Sequence, residues 1–165
     1  MKKYLRTMNA TFNQRLFLFA AMGCVGMTGE IFFTAIYDIA MGHAVVIKGE
    51  TVVPSRLLGY SYLWMFPIYG LGAILFPFLF KLIGHWNVLL RMCVYGAGII
   101  AVEFITGWLL DVTTGQCPWE YKEGWQVMGY IRLDFFPFWA VFGLMVEKLL
   151  NFLMSRNTPG TGAAG

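Results

Sequence analysis

The stretch GEIFFTAIYD, Gly29–Asp38, decides the fold. It holds one acid at Glu30 and another at Asp38, and nearly everything between and around them is apolar. The run extends from about Leu16 to Met41, which at about 1.5 Å per residue is long enough to cross a hydrocarbon core of about 30 Å. A glutamate inside such a run is costly against lipid, so it calls for a protein partner or a wet cavity. Three more apolar runs follow, at Tyr60–Ile83, Val88–Leu110 and Phe135–Met154.

The whole chain shares this character. Hydrophobic residues make up 58% and charged residues 13% of 165, against about a quarter charged in soluble domains. The reading is an all-α integral membrane protein, with one four-helix transmembrane domain over residues 1–154. The tail 155–165, SRNTPGTGAAG, is small, polar and Gly/Pro-containing, which predicts a disordered cytoplasmic segment. A cleaved secretory leader is a competing reading of Lys2, Lys3 and Arg6 before an apolar run, and AAMGC is similar to a lipoprotein cleavage site. The run to Met41 is longer than the roughly 7 to 15 apolar residues of a leader, which favours a retained helix.

Charge sets the orientation. Eight of the twelve Lys and Arg residues lie at the N-terminus (Lys2, Lys3, Arg6, Arg15), around the second connection (Lys81, Arg91) and at the C-terminal end (Lys148, Arg156). The other four, Lys48, Arg56, Lys122 and Arg132, lie in the first and third connections. The positive-inside rule then puts both termini in the cytoplasm, and the membrane is the plasma (inner) membrane if the source is bacterial. The net charge of +3 is a topology signal, and nothing points to nucleic acid.

The opening stretch has a counterpart. VEFITGWLLD, Val102–Asp111, repeats the spacing, with Glu103 eight residues before Asp111, and a Gly precedes each Glu by seven residues, at Gly23 and Gly96. GYSYLWMFP (Gly59–Pro67) matches GYIRLDFFP (Gly129–Pro137) at Gly, Tyr, Leu, Phe and Pro. The offsets are 73 and 70 residues, the difference falling in the outer loop. This predicts a tandem duplication of a two-helix hairpin, repeat 1 over about 15–83 and repeat 2 over about 88–154, related by a pseudo-twofold axis along the membrane normal.

The repeat gives Glu30 a matched partner. Glu30 and Glu103 fall at one depth, about 20 Å from the cytoplasmic edge at about 1.5 Å per residue. Gly23 and Gly26 share the face of Glu30, and Gly96 and Gly107 that of Glu103, which suits close helix packing. The expectation is that the first and third helices meet along these faces and bring the carboxylates together as a proton, cation or substrate site. The competing expectation is that each glutamate is protonated and bonds a carbonyl or a hydroxyl such as Thr34 or Thr106. Asp38 and Asp111 are expected on a water-exposed outer rim with Trp119, Glu120, Tyr121, Arg132 and Asp134.

Other signals bound the function. Pro67 and Pro137 fit the first turns of the second and fourth helices, with Asp134 a candidate cap for the fourth. The aromatic residues of CPWEYKEGWQVMGY read as an interfacial belt ahead of a ligand-stacking surface. Cys24, Cys93 and Cys117 contain no CxxC, and His43 and His85 lie in connections, so neither a metal nor any other cofactor is called for. No GxxxxGK[ST] stretch occurs, which excludes ATP hydrolysis through a P-loop in these residues.

VEFITGWLLD, CPWEY and GYIRLDFFPFWAVFGLMVE resemble the family labelled putative ABC-transporter type IV, which includes bacterial members and small vertebrate four-helix membrane proteins. GEIFFTAIYD and LWMFPIYG resemble it too, so the likeness runs from about Leu16 to Phe152. Its most specific parts are Glu103, Thr106 and Gly107, and the run Pro118–Tyr121. The resemblance implies a polytopic membrane protein and a transport label. Two classes of function follow: a transporter-type or small-solute or cation-binding component, or a non-transport scaffold, assembly factor or lipid-handling enzyme. An enzyme would need a nucleophile or metal beside the acids, and only hydroxyls are at hand. Beyond the lipid bilayer, the partners left open are a second copy, a larger membrane complex and a separate ATPase subunit.

Overall fold

The computed structural model describes residues 12–156. Lys2, Lys3 and Arg6, and residues 157–165 of the tail expected to be disordered from 155, lie outside the described residues; Ser155 and Arg156 of that tail are helical. The described chain is all-α in character, with four helices: α1 Phe12–Met41, α2 Met65–Ile83, α3 Val88–Thr114 and α4 Phe136–Arg156. The first three are long and apolar enough to cross a membrane. The fourth carries Glu147, Lys148 and Asn151 among its apolar residues.

Local chemistry sets the helix ends. Asn87 caps α3 by accepting the Leu90 N–H at 2.9 Å. At the far end Thr113 and Thr114 turn their hydroxyls back on the carbonyls of Leu109 and Leu110, both at 2.7 Å, so the helix outlasts its apolar run and stops at Gly115. Pro67 and Pro137 sit in the first turns of α2 and α4, where a missing N–H removes no helical bond. Pro77 lies inside α2 and does remove one.

The first and third connections are partly β. Strands β1 (Val45–Ile47) and β2 (Glu50–Val52) pair antiparallel around Lys48 and Gly49, both at positive φ as a tight two-residue hairpin turn requires. Strands β3 (Gln126–Val127) and β4 (Ile131–Arg132) form a second small hairpin. The 3₁₀ turns Pro54–Arg56 and Leu133–Phe135 follow the two hairpins. The helix expected from Tyr60 begins at Met65, and residues 57–62 before it carry no regular secondary structure, with Leu57 at φ +55°.

The chain divides into two compact units, Phe12–Ile74 and the residues from Leu75 on. In the first, Leu18, Met22, Ala35, Met65 and Ala73 are buried. A side chain at Gly23 would meet Phe66 at 2.8 Å, and one at Gly26 would run into the Tyr69 ring. In the second unit Ile83, Tyr95, Ile100, Leu110, Ala140, Val146 and Leu150 are buried, and a side chain at Gly96 would meet the Ala140 backbone at 3.2 Å. These glycines therefore close each helix against the next helix in sequence, whereas the sequence reading gave their faces to a contact between the first and third helices.

Candidate functional site

Glu30 sits half-buried in the C-terminal half of α1. Its Oε2 accepts a hydrogen bond from Ser61 Oγ at 3.1 Å, and Tyr69 of α2 supplies a second side-chain hydrogen bond. Ser61 is delivered by the irregular segment before α2. A side chain at Gly59 would collide with the Ile31 carbonyl, so only glycine lets that chain lie against α1. One residue on, Thr34 Oγ1 accepts the Tyr60 N–H at 3.0 Å and lies 3.1 Å from the Tyr60 carbonyl. Thr34 thus holds the chain that carries the donor and does not itself reach Glu30, contrary to the expectation that it would bond the carboxylate.

Glu103 is served from the other direction. The Tyr121 hydroxyl reaches down from the third connection and donates to Glu103 Oε1 at 2.7 Å. Tyr121 is set by its own N–H, which donates to the Gly129 carbonyl at 2.8 Å, and by an edge-on contact of its ring with Phe135, centroids 6.1 Å apart. Thr106 spends its hydroxyl on the Val102 carbonyl at 2.7 Å, so it too is absent from the carboxylate's donors. Gly107 makes room instead: a side chain there would press on Tyr130 at 3.2 Å and on Cys117 and Trp119 at 3.4 Å. The two runs singled out as most specific, Glu103–Gly107 and Pro118–Tyr121, therefore pack on each other.

The outer rim is less wet than the sequence reading expected. Asp38 is only 6% exposed, with Oδ1 3.9 Å from His43 Nδ1. The 3₁₀ turn Pro54–Arg56 packs on α1, and at the helix end the His43 N–H turns back to donate to the Asp38 carbonyl at 2.9 Å. Asp111 is partly buried and accepts the Tyr130 hydroxyl at 2.6 Å, while Trp119 Nε1 donates to the Tyr130 carbonyl at 3.1 Å. Glu120 meets Lys122 at 3.8 Å with both exposed, a contact worth little. Asp134 pairs with Arg132 and accepts the Trp125 N–H at 3.2 Å, in place of the capping role expected of it. The Arg132 guanidinium also lies 4.1 Å from the centre of the Phe135 ring.

These contacts fix the pH behaviour of the third connection. The Arg132 hydrogen bond holds the Asp134 carboxyl below its ordinary value. A depressed acid contributes stability above its unfolded pKa, lost as pH falls through the lower folded value. Acidification below about pH 4 is therefore expected to loosen residues 124–135 first, measured as faster amide exchange there than in α3. The hydrogen bond to Asp111 raises the Tyr130 phenol, so its contribution is complete below the unfolded pKa and fades as pH rises through the folded one. Tyr130→Phe, which removes the hydrogen bond to Asp111, is expected to destabilise the fold, read as a lower denaturant midpoint in detergent. Beside it Cys117 is buried, and burial pushes its thiol up.

Sequence reasoning singled out the two glutamates but not the hydrogen-bond partners of Glu30. Ser61 was hidden as an ordinary residue of a presumed helix start, and Tyr69 as one aromatic among many; the signal available was the repeated Gly-Tyr that places the chain beside Thr34. Cys24 and Cys93 are exposed on α1 and α3.

No solved structure matches the chain. The family model described as Putative ABC-transporter type IV matches residues 17–161, nearly the whole chain. With three helices long and apolar enough to cross a membrane, the chain is a membrane protein belonging to the putative ABC-transporter type IV family.

Proposed function

We propose that this protein is a transport-type component of the membrane, binding a proton, a cation or a small solute, in which Glu30 and Glu103 are paired sites in the outer half of a four-span bundle. One observation carries the reading: each glutamate, eight residues before an aspartate in a matched stretch, is held by a hydroxyl, Ser61 or Tyr121. A hydroxyl can donate to a carboxylate or accept from a carboxylic acid, so the contact survives a change of protonation state. A half-buried acid held this way can take up and release a proton, or exchange it for a cation, without rebuilding its surroundings. Thr34 and Gly107 then act one turn further along, where the connections dock.

The tandem duplication is part of the proposal. Gly23 faces Phe66 and Gly96 faces Phe136, while Thr34 touches Tyr60 and Gly107 touches Tyr130, each pair matching at the offsets of 73 and 70 residues. Both termini then lie in the cytoplasm by the positive-inside rule, and the membrane is the plasma (inner) membrane if the source is bacterial. A homo-oligomer or a larger complex with a separate ATPase subunit is compatible with a chain that has no P-loop.

A second reading has its own support. The Tyr130–Asp111 bond fastens a connection to a helix without any need for transport, and the Glu contacts resemble it. On that reading the chain is a scaffold, an assembly factor or a lipid-handling enzyme. Reconstitution of the purified protein into liposomes with a trapped pH dye separates the two. Transport predicts dye response or cation flux above that of protein-free liposomes under an imposed gradient. Equality with protein-free liposomes for protons and each monovalent cation tried would sink the ion-transport reading.

A further inference from the structure

A buried ionic contact lies away from both glutamates, near the turn that joins α2 to α3. Glu147 of α4 is 8% exposed. Its Oε2 accepts the Tyr95 hydroxyl at 2.7 Å and lies 3.4 Å from Arg91 Nε, both on α3. Arg91 is anchored in turn: its Nη1 donates to the Gly84 carbonyl at 3.2 Å, and its guanidinium lies 5.7 Å from the Phe80 ring centre. Tyr95 is 1% exposed, packed against Phe76 at 5.0 Å, and a side chain at Gly143 of α4 would collide with it. The acid, its donor and its counter-ion therefore meet only when α3 and α4 are in close contact.

This arrangement has no counterpart in the first half. At the offsets of 73 and 70 residues, Arg91, Tyr95 and Glu147 correspond to Leu18, Met22 and Pro77. The ionic contact is thus an addition to the second hairpin and not a part of the repeated scaffold. On its own, α4 would present Glu147 to lipid, where an unpaired acid is strongly disfavoured. Beside α3 the same acid is covered, hydrogen-bonded and matched by a cation.

We propose that α4 enters the membrane only as the partner of α3, with Arg91 and Tyr95 forming a built-in receptor for Glu147. The proposal rests on the four-span reading. Arg91 matters because of Glu147, so its loss is harmful only while the acid is present. A buried carboxylate left without its partner is the costly state, and removing both members relieves it.

The test uses the full-length chain with a reporter fused after its last residue, scored for the side of the membrane it occupies. In the wild type the reporter is expected inside. Arg91→Leu is expected to raise the outward-facing fraction about tenfold, because α4 then meets the bilayer with an unpaired acid. Glu147→Leu and the double variant Arg91→Leu/Glu147→Leu are expected to keep the reporter inside. An inside reporter for Arg91→Leu, at the wild-type fraction, overturns the inference and leaves the four-span reading standing. A double variant as misplaced as Arg91→Leu also overturns it, since Arg91 would then act as an inside-positive charge and not as a partner of Glu147. An outward-facing wild-type reporter overturns the four-span reading and this inference together.

Discussion

Glu103→Gln is expected to abolish the flux of the reconstituted protein while leaving its amount in the membrane unchanged, and Glu30→Gln to do the same. The amide keeps the size of the acid, and its oxygen still accepts the Tyr121 or Ser61 hydroxyl, so the packing seen at 2.7 and 3.1 Å survives. What is lost is the charge and the exchangeable proton. A fall of about 100-fold or more is expected, the scale on which a positioned proton-transfer group contributes. Dye-reported flux in liposomes measures it, with membrane yield and thermal midpoint as controls. If both variants carry wild-type flux, the acids are not the site. If both lose stability as well as flux, the stapling role explains them better than transport does.

Gly59→Ala is expected to be the most damaging single substitution in the first unit. A methyl group there would meet the carbonyl carbon and oxygen of Ile31, and the backbone of a helix cannot swing aside as a side-chain tip can. The segment before α2 would be pushed off α1, drawing Tyr60 from Thr34 and Ser61 from Glu30. The cost should reach the upper end of the overpacking range, about 3 kcal/mol. For a chain of this size that is a fall in thermal midpoint of about 6 °C or more, measured by tryptophan fluorescence in detergent. Its sequence counterpart, Gly129, is required for another reason: φ is +77° there, a conformation that side chains rarely adopt. Gly129→Asn should therefore cost less than Gly59→Asn, since asparagine tolerates positive φ but cannot shed its bulk. Equal losses at the two positions would contradict both explanations.

How far the sequence is legible depends on which residues carry the signal. The helices could be read because hydrophobic length is a property of the chain itself: Val88 was the expected start of the third helix and is the observed one. Its end was read four residues short, because Asp111, Thr113 and Thr114 look like a departure from the membrane. Only the structure shows the threonine hydroxyls satisfied inside the helix. The second helix was read too early for the opposite reason, since Tyr60–Leu63 is apolar enough to pass as helix but is drawn off by Thr34 and Glu30. Asp38 looked exposed because a charge at a helix end ordinarily is, and its burial depends on a connection whose path no local pattern announces. The small hairpins are of the same kind. Lys48-Gly49 is a weak turn signal, and three-residue strands are too short for alternation to show.

Cys117 has a further consequence, in redox terms. On the proposed topology it faces the outer side of the membrane, where a single thiol is exposed to oxidants and to other chains' disulfides. Thiolate, and not thiol, is the species that attacks a disulfide or is oxidised readily. Packed beside Gly107 and raised by burial, Cys117 holds little thiolate and offers little access. The chain can therefore carry one unpaired cysteine into an oxidising compartment and keep it reduced, using the same packing that seats Tyr130 and Trp119.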